Sequence, residues 1–159
     1  MKTLHLLFVL LVCTPAWSAG TVYQKTTDAA MEETYRRVYE KLEANRFYVV
    51  FEPDIGANLS GFADRWGEDY NRNRLTAIRS MVFCNAWYAN QVSNADPDML
   101  ALCPLHITLT EKDGRTTVLF SRPTVIARGS GAEKIAAEIE DGVIRSLEQA
   151  LATDAKQVK

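Results

Sequence analysis

Beyond its first 18 residues the chain contains only two cysteines and one histidine, Cys84, Cys103 and His106. Sulfur and imidazole nitrogen are donors that zinc, copper and haem iron use. The sequence signatures of Cys-x-x-Cys redox pairs, haem attachment, serine hydrolases, phosphate-binding loops, zinc proteases and dinucleotide-binding folds are all missing. We therefore predict no catalytic residue, and any chemistry of the chain falls to these three side chains.

The two cysteines have three possible fates. In an oxidising compartment they can form a disulfide, in a core they can remain unpaired and inert, and with His106 they can form a metal, haem or reactive-thiol site. Cys84 ends one predicted strand and Cys103 comes just before another. If these strands are antiparallel neighbours, the two sulfurs meet. If the strands are parallel, they lie roughly 20 Å apart, beyond the reach of a disulfide.

A metal site would depend on the Cys103-Pro-Leu-His106 spacing. Positions three apart on a strand face opposite sides, so Cys103 would have to turn back from a loop. A structural zinc site also needs a fourth ligand, and no further cysteine or histidine remains outside the first 18 residues. Met81 or Met99 could assist copper or haem. A surface or interface position is simpler for His106, so we predict no metal and no cofactor.

A further candidate site is the stretch Arg128, Gly129, Ser130 and Gly131, which comes before the last predicted helix. Free backbone amides at such a position can bind an anion. The same four residues can serve simply as the start of the helix, which needs no ligand.

The first residues are typical of a signal peptide. Lys2 precedes an apolar run from Leu4 to Cys13, which is too short to span a bilayer, and small residues follow it. Cleavage after Ser18 or after Gly20 satisfies the small-residue rule, and a lipid anchor on Cys13 is disfavoured by Val12 before it. We predict a signal peptide over residues 1–18 and a periplasmic or secreted mature protein.

Residues 19–159 have the length of one domain that can bury its own core. The net charge of the whole chain is −2, and loss of Lys2 leaves −3, which gives no electrostatic reason to expect nucleic acid. The aromatic and basic stretch from Arg65 to Arg74 is interleaved with acidic residues, so we interpret it as a solvated loop face. No later segment is apolar for long enough to span a membrane.

Apolar periodicity predicts the elements that position these residues. Helical spacing marks residues 28–44, weakly 55–66, a segment capped by Asn85, and a long last helix for which Ser130 and Glu133 would form a capping box. Alternation predicts strands over residues 47–51, 77–84, 105–110 and 116–121, the last two joined by an Asp113-Gly114 hairpin. We therefore expect an α+β fold, with a small, mostly antiparallel sheet of about four to five strands and helices packed on one face.

Several short strings resemble those of a bacterial family, domain of unknown function 302, over roughly residues 26–151. They are Phe83-Cys84-Asn85, Asp96-Pro97, Leu102 to Ile107, Asp113-Gly114 and Arg122-Pro123. The chain departs from the family pattern at Ala86, where many members have proline, and in the order of Cys103 and Pro104, so no role of the family's cysteine carries over. The resemblance implies a compact α+β domain that pairs as a homodimer and has no established activity.

These observations leave two hypotheses for function. The first is an exported domain without recognisable catalytic machinery, a homodimer that binds an unknown small ligand or protein partner, with the uncovered sheet face as a natural dimer interface. The alternative is an envelope protein that handles electrons, metal or haem through Cys84, Cys103 and His106.

Overall fold

A computed structural model of the chain describes residues 20–152, which form one five-stranded antiparallel sheet with helices. The strands are β1 (Val22–Thr27), β2 (Tyr48–Phe51), β3 (Ala77–Cys84), β4 (Leu105–Lys112) and β5 (Arg115–Ser121). Their order across the sheet is β1-β5-β4-β3-β2. This confirms the predicted α+β class.

Among residues 20–152, two long helices cover the sheet, and four short helices lie in the connections between elements. The long helices are α1 (Met31–Ala44) and α6 (Glu133–Leu151). The short helices are α2 (Ile55–Ser60), α3 (Ala63–Trp66), α4 (Ala86–Ala95) and α5 (Pro123–Ile126), and 3₁₀ turns lie at Gly67–Asp69 and Pro97–Leu102. No helix among residues 20–152 is both long and apolar enough to cross a membrane.

The core lies between one face of the sheet and the helices α1 and α6. Alternate residues of the three central strands point to this face and are fully or almost fully buried: Met81, Phe83, Ile107, Leu109, Val118 and Phe120. The predicted apolar stripe of α6 meets them with Ile139, Val143, Leu147 and Leu151, all buried. Burial of each such side chain contributes about 1.5–3 kcal/mol to stability, so this layer holds the fold together.

The opposite face of the sheet, called the open face below, carries the intervening residues. Gln24, Leu119, Thr108 and Ser80 form one row across four strands. Of these, only Ser80 is buried, because its hydroxyl donates to the Ile107 carbonyl at 2.7 Å. The helices therefore pack on one face, as the sequence predicted.

The hairpin between β4 and β5 confirms the Asp113-Gly114 prediction. Asp113 has φ 52° and Gly114 has φ 75°, the left-handed pair that a tight two-residue hairpin requires. Asn85 also caps α4 as predicted, since its side-chain oxygen accepts from the Tyr88 amide at 3.2 Å.

Three local expectations were wrong. Strand β1 was not predicted, because Gln24 and Lys25 interrupt its apolar alternation at the edge of the sheet. The single helix expected over residues 55–66 is two short ones, α2 and α3. Helix α6 begins without the capping box, because the Glu133 carboxylate accepts from the Gly129 amide at 3.0 Å rather than from the amide of Ser130. The predicted signal peptide lies outside the described residues.

Candidate functional site

The sheet brings Cys84 and Cys103 together. Strands β3 and β4 are antiparallel neighbours in which Phe83 pairs with Leu105, so the end of β3 lies beside the start of β4. Both cysteines are free thiols and half-buried. Burial of the Cys103 thiol, together with the neighbouring Cys84 sulfur, raises the pKa of Cys103 above its ordinary value. Of the two geometries considered from sequence, the structure has the antiparallel one, which places the two cysteines close together as free thiols without a disulfide bond.

His106 lies on the open face, where it pairs with Val82 of β3 and is exposed. Within residues 20–152 no group of three or more histidine, cysteine, aspartate and glutamate side chains is arranged to hold a metal ion. His106, Cys84 and Cys103 are therefore close in the fold but do not form a metal-binding cluster.

The Arg128–Gly131 stretch uses its amides within the chain. The Gly129 amide donates to Glu133 at 3.0 Å, and the Gly131 amide donates to the Asp96 carboxylate at 3.2 Å. The Ser130 amide donates to the Ala127 carbonyl at 3.0 Å. An external anion would have to displace two carboxylates of the protein itself. The stretch instead connects the ends of α4, α5 and α6 through these hydrogen bonds.

A concave site among residues 20–152 was not predicted from the sequence. It is a cleft of about 880 Å³ between the start of α1 and the segment 54–76, which leaves the sheet after β2 and returns to it at β3. Its lining includes Glu32, Asp54, Leu59, Trp66, Asp69, Tyr70, Asn71, Arg72, Leu75, Ile78, Arg79 and Glu111. A cleft of this volume falls in the range that accommodates small organic ligands.

Arg79 is the best-fixed cation of the cleft. Its guanidinium lies 3.8 Å from the centroid of the Tyr35 ring and donates to the Glu32 carboxylate at 2.9 Å. Tyr35 is itself held by hydrogen bonds to Glu52 at 2.8 Å and to the Ser80 carbonyl at 3.2 Å. Burial of the Tyr35 hydroxyl, reinforced by Glu52, raises its pKa well above the usual range, so the ring stays neutral beneath the cation.

The partner of Arg79 is replaceable. The side chain of Glu32 is 86% exposed, whereas that of Arg79 is 26% exposed. An ion pair with one member so exposed adds little stability, because water and salt screen it. An anionic group of a ligand can therefore take the place of Glu32 on Arg79 at small cost.

Glu111 of β4 forms hydrogen bonds to the start of α1 and to the end of the segment 54–76. Its carboxylate accepts from the Met31 amide at 2.7 Å and from the Thr76 hydroxyl at 2.9 Å. The first interaction satisfies an amide at the positive end of the α1 dipole. Glu111 is therefore a fixed negative group on the cleft wall.

The outer wall of the cleft is a set of short turns held by side chains. Asp54 caps α2 by accepting from the Ala57 amide at 2.8 Å, and Asn71 bonds both the amide and the carbonyl of Leu75 at 2.9 and 2.8 Å. Asp69 pairs with Arg72 at the surface. Trp66 stacks on Phe62 with ring centroids 5.0 Å apart and remains 40% exposed.

The stretch interpreted from sequence as a solvated loop face thus forms part of the cleft wall. Trp66, Tyr70 and Arg72 all line it, although acidic residues alternate with them. The available signal was the long connection over residues 52–76, in which helical spacing was weak, since long connections between strands are often functional. Nothing in the sequence indicated that Arg79 lines the cleft, because the position of its side chain facing α1 depends on the strand register.

Fold and site together define a small α+β domain with a helix-covered antiparallel sheet and a cleft at its β2–β3 connection. The sequence matches the model of the family described as domain of unknown function DUF302 over residues 23–153, and the chain belongs to this family. The structure is similar to the crystal structure of an uncharacterized conserved protein DUF302 from Bacillus stearothermophilus. The TM-score is 0.71 at 23% identity, covering 83% of this chain and 99% of the other.

That structural likeness supports the fold. Among curated proteins, no relative matches this chain. The family assignment agrees with the resemblance drawn from the short strings around Cys84, Cys103 and the Asp113-Gly114 hairpin.

Proposed function

We propose that the protein is exported, pairs as a homodimer and binds a small organic ligand in the cleft between α1 and the segment 54–76. The observation that carries this proposal is the cleft itself, about 880 Å³ in volume and lined by a fixed arginine, several carboxylates and a patch of apolar side chains. Concave sites with a few convergent polar groups are the usual place for ligand binding.

The lining indicates an amphipathic ligand. Arg79 offers a guanidinium whose present partner, Glu32, is exposed and easily displaced. Trp66, Leu59 and Leu75 supply apolar surface. We therefore expect a small molecule with one anionic group directed to Arg79 and an apolar body against the outer wall.

Blocking the cleft tests this proposal. Ala57 lines the cleft and is exposed, so Ala57→Trp should fill the cleft without disturbing the core. Ala137→Trp places the same bulk on an exposed position of α6 and serves as the control. The readouts are native mass spectrometry for a co-purifying small molecule and fluorescence of anilinonaphthalene sulfonate, an amphipathic anion.

Ala57→Trp should remove any co-purifying molecule and weaken probe binding by about tenfold or more, a loss of about 1.4 kcal/mol of binding free energy. Ala137→Trp should bind like the original protein. Equal binding by both variants, or no binding by any of the three proteins, would refute the proposed site.

The proposed dimer forms through the open face. Val22 is 46% exposed, Tyr48 53% and Phe51 62%, and half-buried Val82 and Leu119 lie on the same face. Tyr48 and Phe51 lie together on the edge strand β2, and Phe51 pairs with Val82 of β3, so the exposed apolar surface is concentrated at this edge, as is typical of interfaces. Phe51→Glu should convert a dimer to a monomer in sedimentation velocity experiments. Ile126→Glu, which changes a side chain 59% exposed on α5, should leave the dimer intact.

Export is supported by the sequence of the first 18 residues alone. Expression of the full chain in a Gram-negative host should yield a periplasmic product whose amino terminus follows Ser18 or Gly20. A cytoplasmic product that retains Met1 or Lys2 would contradict export while leaving the cleft proposal intact.

The metal and haem part of the alternative function gains no support, because Cys84, Cys103 and His106 do not form a ligand cluster of three. Its redox part depends only on the two cysteines.

A further inference from the structure

The juxtaposed cysteines have no part in the cleft. Neither Cys84 nor Cys103 lines it, and the two thiols lie where β3 ends and β4 begins. In an exported protein two neighbouring free thiols would face an oxidising environment, in which a disulfide can form.

Both cysteines are held by structured neighbours. Asn85, which follows Cys84, caps α4 and donates to the Arg46 carbonyl at 3.0 Å. The Cys103 amide donates to the Leu100 carbonyl at 2.9 Å and so closes the 3₁₀ turn. The backbone on each side of the pair is therefore fixed, and the pair is assembled before any reaction.

The connection between the cysteines is anchored to the core. Val92 of α4 is 2% exposed, and the Tyr88 ring stacks on Phe47 with centroids 6.2 Å apart. Met99, in the 3₁₀ turn, packs against the core as well. A bond between the cysteines would therefore join the ends of a segment whose fold is already set.

We propose that Cys84 and Cys103 form a redox-active dithiol that reduces a low-molecular-weight disulfide by thiol–disulfide exchange. Both sulfurs are half-buried, which gives a small disulfide better access than a protein disulfide. This function is independent of ligand binding in the cleft.

The exchange has two steps. The thiolate of one cysteine attacks one sulfur of the small disulfide, whose S–S bond breaks and releases one thiolate. The second cysteine, after losing its proton, attacks the sulfur of the first in the mixed disulfide, which forms the Cys84–Cys103 bond and releases the second small thiolate. Two electrons pass to the small disulfide, and the two protons from the cysteines go to the released thiolates.

The test uses the full chain with Cys13→Ser in every variant, so that only the two candidate thiols react. The reduced protein is mixed with oxidised glutathione at neutral pH, quenched with an alkylating agent, and weighed intact. The protein should lose two hydrogens and accumulate little glutathione adduct. Cys103→Ser and Cys84→Ser should each stop at a stable one-glutathione adduct.

Stable adducts on both cysteines, disulfide-linked dimers, or no reaction would each overturn the dithiol. Far-ultraviolet circular dichroism of each serine variant verifies that the fold is retained. Diamide oxidises accessible thiols without forming a glutathione adduct, so its reaction with the protein that has both cysteines checks that the Cys84–Cys103 disulfide can form.

Discussion

The two faces of the sheet are built by the same strands but have opposite roles. On the covered face, Phe83 and Phe120 are 0% and 1% exposed beneath α1 and α6. On the open face, Phe51 is 62% exposed, and threonine and serine occupy the centre of the sheet. Stability therefore resides on the covered face, while the open face, the strand ends and the β2–β3 connection are free to carry function.

The sharpest test of this comparison uses adjacent residues of β5. Phe120→Ala should cost about 3–5 kcal/mol of unfolding free energy, because it leaves a cavity in a packed core. Leu119→Ala, half-buried on the open face, should cost under about 1 kcal/mol in the monomer. Urea unfolding at several protein concentrations measures both.

Protein concentration separates the monomer from the proposed dimer. The cost of Leu119→Ala should rise with concentration if the open face pairs two copies, whereas that of Phe120→Ala should be present at every concentration. If Leu119→Ala lowers the free energy of unfolding as much as Phe120→Ala does at the lowest protein concentration, the distinction between the two faces is contradicted.

A polar group buried on the covered side should also behave as part of the core. Glu140, 6% exposed, accepts from Arg122 at 2.6 Å and from the hydroxyl of Thr124 at 2.5 Å. Glu140→Ala should cost about 2–3 kcal/mol, because it leaves the Arg122 guanidinium without its carboxylate. Thermal unfolding should show no comparable loss for Glu138→Ala, an exposed position two residues earlier in α6. Equal losses in the two variants would contradict a specific stabilising role of the Glu140–Arg122 pair.

Sequence reasoning predicted the covered face well, because burial there follows simple periodicity. The stripe of α6, the alternation of β4 and the left-handed Asp113-Gly114 turn are local properties, so each could be predicted from a short window. Edge strand β1 was not predicted because Gln24 faces solvent on the open face, while Lys25 takes a position on the covered face and pairs there with Glu148 of α6.

The cysteine pair and the cleft depend on contacts between segments that are far apart in the sequence, and a short stretch of sequence does not contain both partners of such a contact. Whether Cys84 meets Cys103 depended on strand direction, and both alternatives fitted the sequence. The cleft requires Arg79 of β3, Glu32 of α1 and Trp66 of α3 to converge, and no local rule links them. The predicted Ser130–Glu133 capping box failed because Glu133 found the Gly129 amide instead.

The smallest expected effect concerns pH and again separates the two faces. Burial and hydrogen bonds to Glu148 and Glu52 raise the pKa values of Tyr23 and Tyr35 on the covered face. A phenol whose pKa is higher in the folded than in the unfolded chain favours folding fully below the unfolded value, about 10. Unfolding free energy should therefore decline as pH rises above about 10.

Tyr35→Phe should flatten this decline, while Tyr48→Phe, which removes an exposed hydroxyl from the open face, is the matched control. An identical slope in all three proteins, measured by urea titration between about pH 8 and pH 11, would show that the buried phenols do not couple folding to pH.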